Sequence, residues 1–179
     1  MQRIAKFEKV SFTQFLLAAI NAKLPYDENE LYSVYNGILL PKRATKGSAG
    51  YDFFLPFNIG LTTSTSITIP TGIKVRINDG WVLKVYPRSG FGFKYRLQLD
   101  NTVGIIDSDY YNNINNEGHI IIKMTNAGVE GKAISVLKDT AFAQGIFVEY
   151  GITEDDDVDT VREGGIGSTS PTAETSFYS

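Results

Sequence analysis

Apolar positions change their spacing once along the chain. From Phe12 they recur at helical intervals, so that Phe12, Phe15, Leu16, Ala19 and Ile20 share one face. Ser11 stands in front as a cap, Gln14 follows three residues on as in a capping box, and Pro25 lies beyond the expected end. The pattern predicts one amphipathic helix whose apolar stripe packs on the rest of the chain or on a neighbour. After Ile38 the interval becomes two. Ile73, Val75 and Ile77 alternate with Lys74 and Arg76. The turn signal Asn78-Asp79-Gly80 follows, and Trp81, Leu83 and Val85 resume the alternation, which predicts a hairpin. Strand-like runs recur at 103–106, 119–124, 133–137 and 142–150. Short strands separated by turn residues predict an all-β fold, a β-sandwich of the jelly-roll kind.

Two polar stretches interrupt this pattern. NNINNEG, at 112–118, reads as a loop. EDDDVD, at 154–159, precedes a glycine-rich end; its carboxylates can bind a hard cation, but a solvated linker extended by self-repulsion is the simpler reading. The chain therefore divides into an N-terminal extension (1–39), a β domain (40–153) and an acidic linker with a mobile glycine-rich arm (154–179).

Composition narrows the chemistry. The 179 residues are 42% hydrophobic, enough for one packed domain. A net charge of -3 gives no basic footprint for nucleic acid. With no cysteine and a single histidine, His119, thiolate catalysis, disulfides, cysteine-held zinc and histidine clusters are excluded. MQRIAKFEKV lacks the apolar core of a signal peptide, and no apolar run approaches a membrane span, so a soluble cytoplasmic protein is expected.

Four segments place glycine beside small polar or charged residues. They are SAGYDFF (48–54), PRSGFG (87–92), NTVGIIDSDY (101–110) and REGGIGSTS (162–170). In PRSGFG, the Arg88 fork and the backbone at Ser89 and Gly90 suit a phosphate. A turn with Arg88 in a surface ion pair is the bland alternative. In NTVGIIDSDY, Asp107 follows a buried-looking Ile105-Ile106 pair and can orient a water, and Tyr110 offers a flat ring to a sugar. A turn capped by aspartates is the alternative there. The glycines of REGGIGSTS can wrap an anion, with Arg162, Ser168 and Thr169 adding a charge and two hydroxyls. By composition alone it is a disordered end.

Together these segments resemble the ordered motifs of the trimeric dUTP diphosphatases. AGYD is similar to the first motif, PRSG to the second, VGIIDSDY to the third, AQGIF (143–147) to the fourth and RxGGxGST to the fifth. The run PKRATKGSAGYDFF and the N-terminal extension look most like bacteriophage or prophage forms. The resemblance implies a jelly-roll homotrimer with active sites at subunit interfaces. It implies hydrolysis of dUTP to dUMP and diphosphate with Mg²⁺, and a C-terminal arm that closes over the site. By the match, Asp52 contacts the water shell of the metal. Arg88, Ser89 and Gly90 bind phosphates, Gln144 contacts a phosphate or an ordered water, and Asp107 holds the attacking water and the sugar 3′-hydroxyl. Tyr110 packs on the deoxyribose, and Asn101 and Gly104 lie where uracil is read. Arg162, Ile166, Gly167, Ser168 and Thr169 come from the arm. Three departures stand out: Ala141 occupies the usual arginine position of the fourth motif, Ile166 replaces an aromatic, and 111–118 replaces a short turn. Alternatives are a dCTP deaminase-like relative of the same fold, and a nucleotide-sensing regulator. The latter would bind a host or viral partner through the extension or the 112–118 loop.

Overall fold

The computed structural model describes residues 2–128 and 132–159. The chain runs β1 (Ala5–Lys9), α1 (Phe12–Asn21), α2 (Glu28–Asn36), β2 (Lys42–Arg43), β3 (Tyr51–Phe54), β4 (Ile59–Leu61), β5 (Ser66–Pro70) and β6 (Ile73–Ile77). It continues through β7 (Trp81–Pro87), α3 (Ser89–Tyr95), β8 (Leu97–Leu99), β9 (Gly104–Ile106), a 3₁₀ turn (Ser108–Tyr110), β10 (Ile121–Asn126), β11 (Ile134–Val136) and β12 (Ala141–Glu149). A five-stranded sheet, β2-β3-β12-β7-β9, shares one hydrophobic core with the three-stranded sheet β5-β10-β8 and the ribbons β1-β6 and β11-β4. Phe53, Leu83, Val85 and Phe142 enter that core from the large sheet; Ile69, Leu97 and Met124 enter from the smaller one. This is the expected β-sandwich. Among the described residues, no helix is long and apolar enough to cross a membrane.

The Asn78–Gly80 turn forms, with Gly80 at φ +80° and Trp81 N–H donating to Asn78 O at 3.3 Å. The strands on either side do not pair with each other, contrary to the hairpin expectation. β6 pairs with β1, and β7 pairs with β12 and β9. The turn is a corner between sheets, because β12 and β9 occupy both edges of β7 and leave none for β6.

That strand belongs to an N-terminal segment built into the core. Val10, Phe15, Ala19, Leu31 and Ile38 are all buried there. Phe7 packs against Tyr51, Phe53 and Phe147 at ring-centroid distances of 5.4–5.8 Å. The predicted helix is α1, and Ser11 Oγ accepts from Gln14 N–H at 3.2 Å. Ile20 is 59% exposed, so the buried stripe is narrower than its spacing implied. A second helix, α2, was not expected. Asp27 and Glu30 close a full capping box around its start, and they compensate for a face on which Leu31 is the only buried residue.

Candidate active site

The end of the large sheet carries the first group of predicted site residues. Phe53 and Leu55 point inward, so alternation turns Asp52 outward. The register sets Asp52 on β3 opposite Gln144 on β12, and Gln144 opposite Tyr86 on β7. Opposed residues on neighbouring strands share a face. Arg88 leaves β7 with its backbone N–H donating to Phe142 O at 3.1 Å. Its Nη1 donates to Asp52 Oδ2 at 3.0 Å. The ion pair offered as the bland reading of Arg88 is therefore present, but it is part-buried rather than at the surface, and its partner is another predicted site residue. Gly50 completes the group: a β-carbon there would lie 2.9 Å from Gln144 Oε1.

PRSGFG does not form a simple turn. Arg88 is the N-cap of α3, and Ser89 and Gly90 are its exposed first residues. Their N–H groups have no acceptor one turn back, and so are available to an anion. Beside them lies a cleft of about 320 Å³ lined by Arg88, Gly90, Phe91, Lys94, Tyr95 and Ala141. The charge of Arg88 is offset by Asp52, whereas Lys94 forms no ion pair with another described residue. Sequence reasoning missed Lys94. The signal was its spacing: Gly90, Phe91, Lys94 and Tyr95 share one face once this segment is read as a helix.

The third motif lies elsewhere. Asp107 is half-buried at the end of β9 and accepts Tyr110 N–H on its carbonyl at 3.2 Å. Gly104 lets β9 approach β7, since a β-carbon there would sit 3.2 Å from Val85 Cβ. Asn101 is exposed in the turn before β9. Ile105 is 51% exposed, so the supposed buried pair is open on one side. Tyr110 is 3% exposed; its hydroxyl donates to His119 O at 3.0 Å and accepts from Asn116 Nδ2 at 2.7 Å. Its ring is mostly inside the turn rather than laid out flat for a ligand.

Ile106 opposes Leu83, which places Asp107 beside Val82. Arg88 is at the other end of the same strand, roughly 20 Å away at about 3.3 Å per residue. A single chain thus gathers Asp52, Arg88, Ser89, Gly90 and Gln144 but holds Asp107 and Tyr110 apart from them. Arg162, Ile166, Gly167, Ser168 and Thr169 lie outside the described residues. The acidic stretch 154–159 is exposed, and no group of three or more metal-ligating side chains forms among the described residues.

A sheet end that pairs an arginine with a carboxylate beside free helix amides is suited to a polyphosphate. A family model described as dUTPase matches residues 37–170. The chain is 40% identical over 135 residues to the deoxyuridine 5′-triphosphate nucleotidohydrolase of Lactococcus lactis, covering 74% of this chain and 89% of that one. It is 35% identical over 136 residues to the Escherichia coli K12 protein of the same name, covering 72% and 85%. The chain belongs to the dUTPase family. A crystal structure of dUTPase from Streptococcus mutans superposes with a TM-score of 0.61 at 32% identity, covering 83% of this chain and 98% of that one. A Staphylococcus bacteriophage 80alpha dUTPase mutant with dUpNHpp gives 0.61 at 19% identity, covering 98% and 97%, and so supports the fold alone.

Proposed function

We propose that this chain hydrolyses dUTP to dUMP and diphosphate as a homotrimer in which each site takes residues from more than one chain. The observation that carries this reading is the separation just described. Asp52, Arg88 and Gln144 meet at one end of the sheet, and Asp107 is held apart from them, roughly 20 Å from Arg88. Residues of one reaction that a single chain keeps apart are brought together by a neighbouring copy.

Arg88, the amides of Ser89 and Gly90, and Gln144 bind the phosphates, with Lys94 adding a positive charge that pairs with no other described residue. Asp107 of another chain accepts a proton from water as its oxygen bonds to the α-phosphorus. The bond from that phosphorus to the bridging oxygen breaks, and diphosphate leaves. Positioning and charge stabilisation supply most of the acceleration. Asn101 and Gly104 border the base, and Tyr110 holds the turn beneath the sugar. Arg162, Ile166, Gly167, Ser168 and Thr169 complete the site from the arm. The donor set fits Mg²⁺ carried in by the triphosphate: one outward carboxylate, Asp52, stands beside the phosphate ligands. Such an ion prefers phosphate oxygens and waters with one or two carboxylates. When bound, Mg²⁺ neutralises charge on the phosphate oxygens.

The family match favours the diphosphatase over the deaminase-like alternative. The partner-binding alternative stands beside it: α1 and 112–118 pack within the chain, yet Ile20 and Ile114 stay exposed on them. Diphosphate release from dUTP, dCTP, dTTP and UTP tests the proposal, with Asp107→Asn as the control. Selective turnover of dUTP and a large loss in the variant are expected. Conversion of dCTP to a uracil nucleotide without cleavage of dUTP refutes it.

A further inference from the structure

The 111–118 segment, whose residues 112–118 are expected as a polar loop, is a hydrogen-bonded bridge with one foot on the Asp107 turn and the other on the N-terminal segment. On the first side, Asn113 Nδ2 donates to Tyr110 O at 2.9 Å, and Asn116 Nδ2 donates to the Tyr110 hydroxyl at 2.7 Å. Asn113 is buried, and its Oδ1 accepts the N–H groups of Asn115 and Asn116 at 3.1 Å each. The arch closes by Asn112 N–H to Glu117 O at 3.1 Å and Glu117 N–H to Asn113 O at 2.9 Å.

On the second side, Glu117 reaches the start of α1. Ser11 N–H donates to its Oε2 at 3.0 Å and Ser11 Oγ–H to its Oε1 at 2.5 Å. The N-cap amide, which Gln14 would have taken in a capping box, is thus served by a residue distant in sequence. Lys74 on β6 donates to Glu117 Oε2 at 3.3 Å and to Asn112 Oδ1 at 2.7 Å. The Tyr111 hydroxyl donates to Glu8 on β1. Burial opposes ionisation of Glu117, but the two Ser11 donors and Lys74 outweigh it and hold its carboxyl below the usual value. The carboxylate therefore stays charged at neutral pH, and its bonds to Ser11 are charge-assisted.

We infer that Glu117 is a positioning residue: through Asn113, Asn116 and Tyr110 it fixes the turn that carries Asp107, using the N-terminal segment as its anchor. The N-terminal segment then helps set the geometry of that half-site through Glu117. The inference rests on the diphosphatase reading for its effect on turnover, but not for the coupling itself.

The test uses the full chain with Glu117→Ala, and with Ser11→Ala as the milder variant should the first fold poorly. Displacing a reacting group by about an ångström costs up to about a hundredfold. Glu117→Ala is therefore expected to lower kcat for dUTP on the order of tenfold with KM little changed, at a temperature well below its melting point. In the Asp107→Asn background the same change should cost nothing further. Amide hydrogen exchange at residues 107–111 should accelerate in both single variants, and Glu117→Gln should lie between wild type and Ala. Native kcat in Glu117→Ala, an equal fold-loss with and without Asp107, or unchanged exchange at 107–111 overturns the inference. A wild-type chain that does not cleave dUTP removes the diphosphatase reading instead, and the exchange measurement still decides the coupling.

Discussion

The one histidine of this chain gives a stringent test of the structure. His119 is fully buried, and its Nε2 accepts the Gly72 N–H at 2.8 Å. The Gly72 N–H can only donate, so the ring must be neutral with its proton on Nδ1, which meets no acceptor among the described residues. Protonation would place a second donor against Gly72 and a charge in the core. Burial accordingly lowers the imidazole pKa from 6.5 to about 4, with Glu117 pulling weakly the other way. Between these values the unfolded chain binds a proton that the native chain refuses, so stability falls as pH drops from about 6.5 towards 4. Linkage puts the loss at about 2 kcal/mol at pH 5 and about 3 kcal/mol once pH is below 4. Denaturant unfolding at pH 7 and pH 5, at fixed protomer concentration, should show this loss for the wild type. The variant His119→Gln should lack it, since Gln keeps an acceptor for Gly72 without titrating. A single imidazole needs no assignment in an NMR titration. Its resonance should hold constant from pH 8 to pH 5 and report the Nδ1–H tautomer. An apparent pKa near 6.5, an Nε2–H tautomer, or parallel pH profiles for the two proteins would refute the argument.

Three further outcomes follow from the site and the core. Gly72→Ala puts a β-carbon at φ +71° within 2.3 Å of Ile38 Cδ1, which combines backbone strain with overpacking; thermal unfolding should show a loss of at least about 2 kcal/mol. Gly50→Ala meets only the mobile end of Gln144, at 2.9 Å; its melting temperature should stay near wild type while dUTP turnover falls clearly in a steady-state assay. Lys94→Ala removes a cation of the cleft that pairs with no other described residue, and calorimetry should show affinity for dUpNHpp falling about tenfold or less, with weaker salt dependence. Affinity for dUMP, which lacks the outer phosphates, should be unchanged.

What the sequence shows on its face, and what it hides, divides along the range of the interactions involved. Alternation at 73–77 and 81–87 located both strands, and Asn78–Gly80 located the turn, because these depend on neighbouring residues. Which strands pair depends on partners distant in the chain: β12 and β9 fill both edges of β7, so the hairpin expectation failed. Ser11 was legible as a cap. Its second partner was not, since Glu117 is 106 residues distant. The helix α2 was missed although its Asp27 and Glu30 box was in plain view, because its apolar face is thin. Ordered motifs single out Asp52, Arg88 and Gln144, and the sheet register sets these three side by side. Lys94 belongs to no motif and becomes visible only when α3 is seen as a helix.

The distance between Arg88 and Asp107 also has a genetic consequence. If no chain carries both halves of one site, lesions in different halves complement each other. Trimers assembled from equal amounts of Arg88→Ala and Asp107→Asn chains, each inactive alone, should regain about a quarter of their sites, wherever the sound half of one chain faces the sound half of the next. Two lesions within the same half, such as Arg88→Ala with Asp52→Asn, have no such arrangement open to them. Inheritance of activity would then follow the sheet register, with allele pairs sorted by the end of β7 at which they fall.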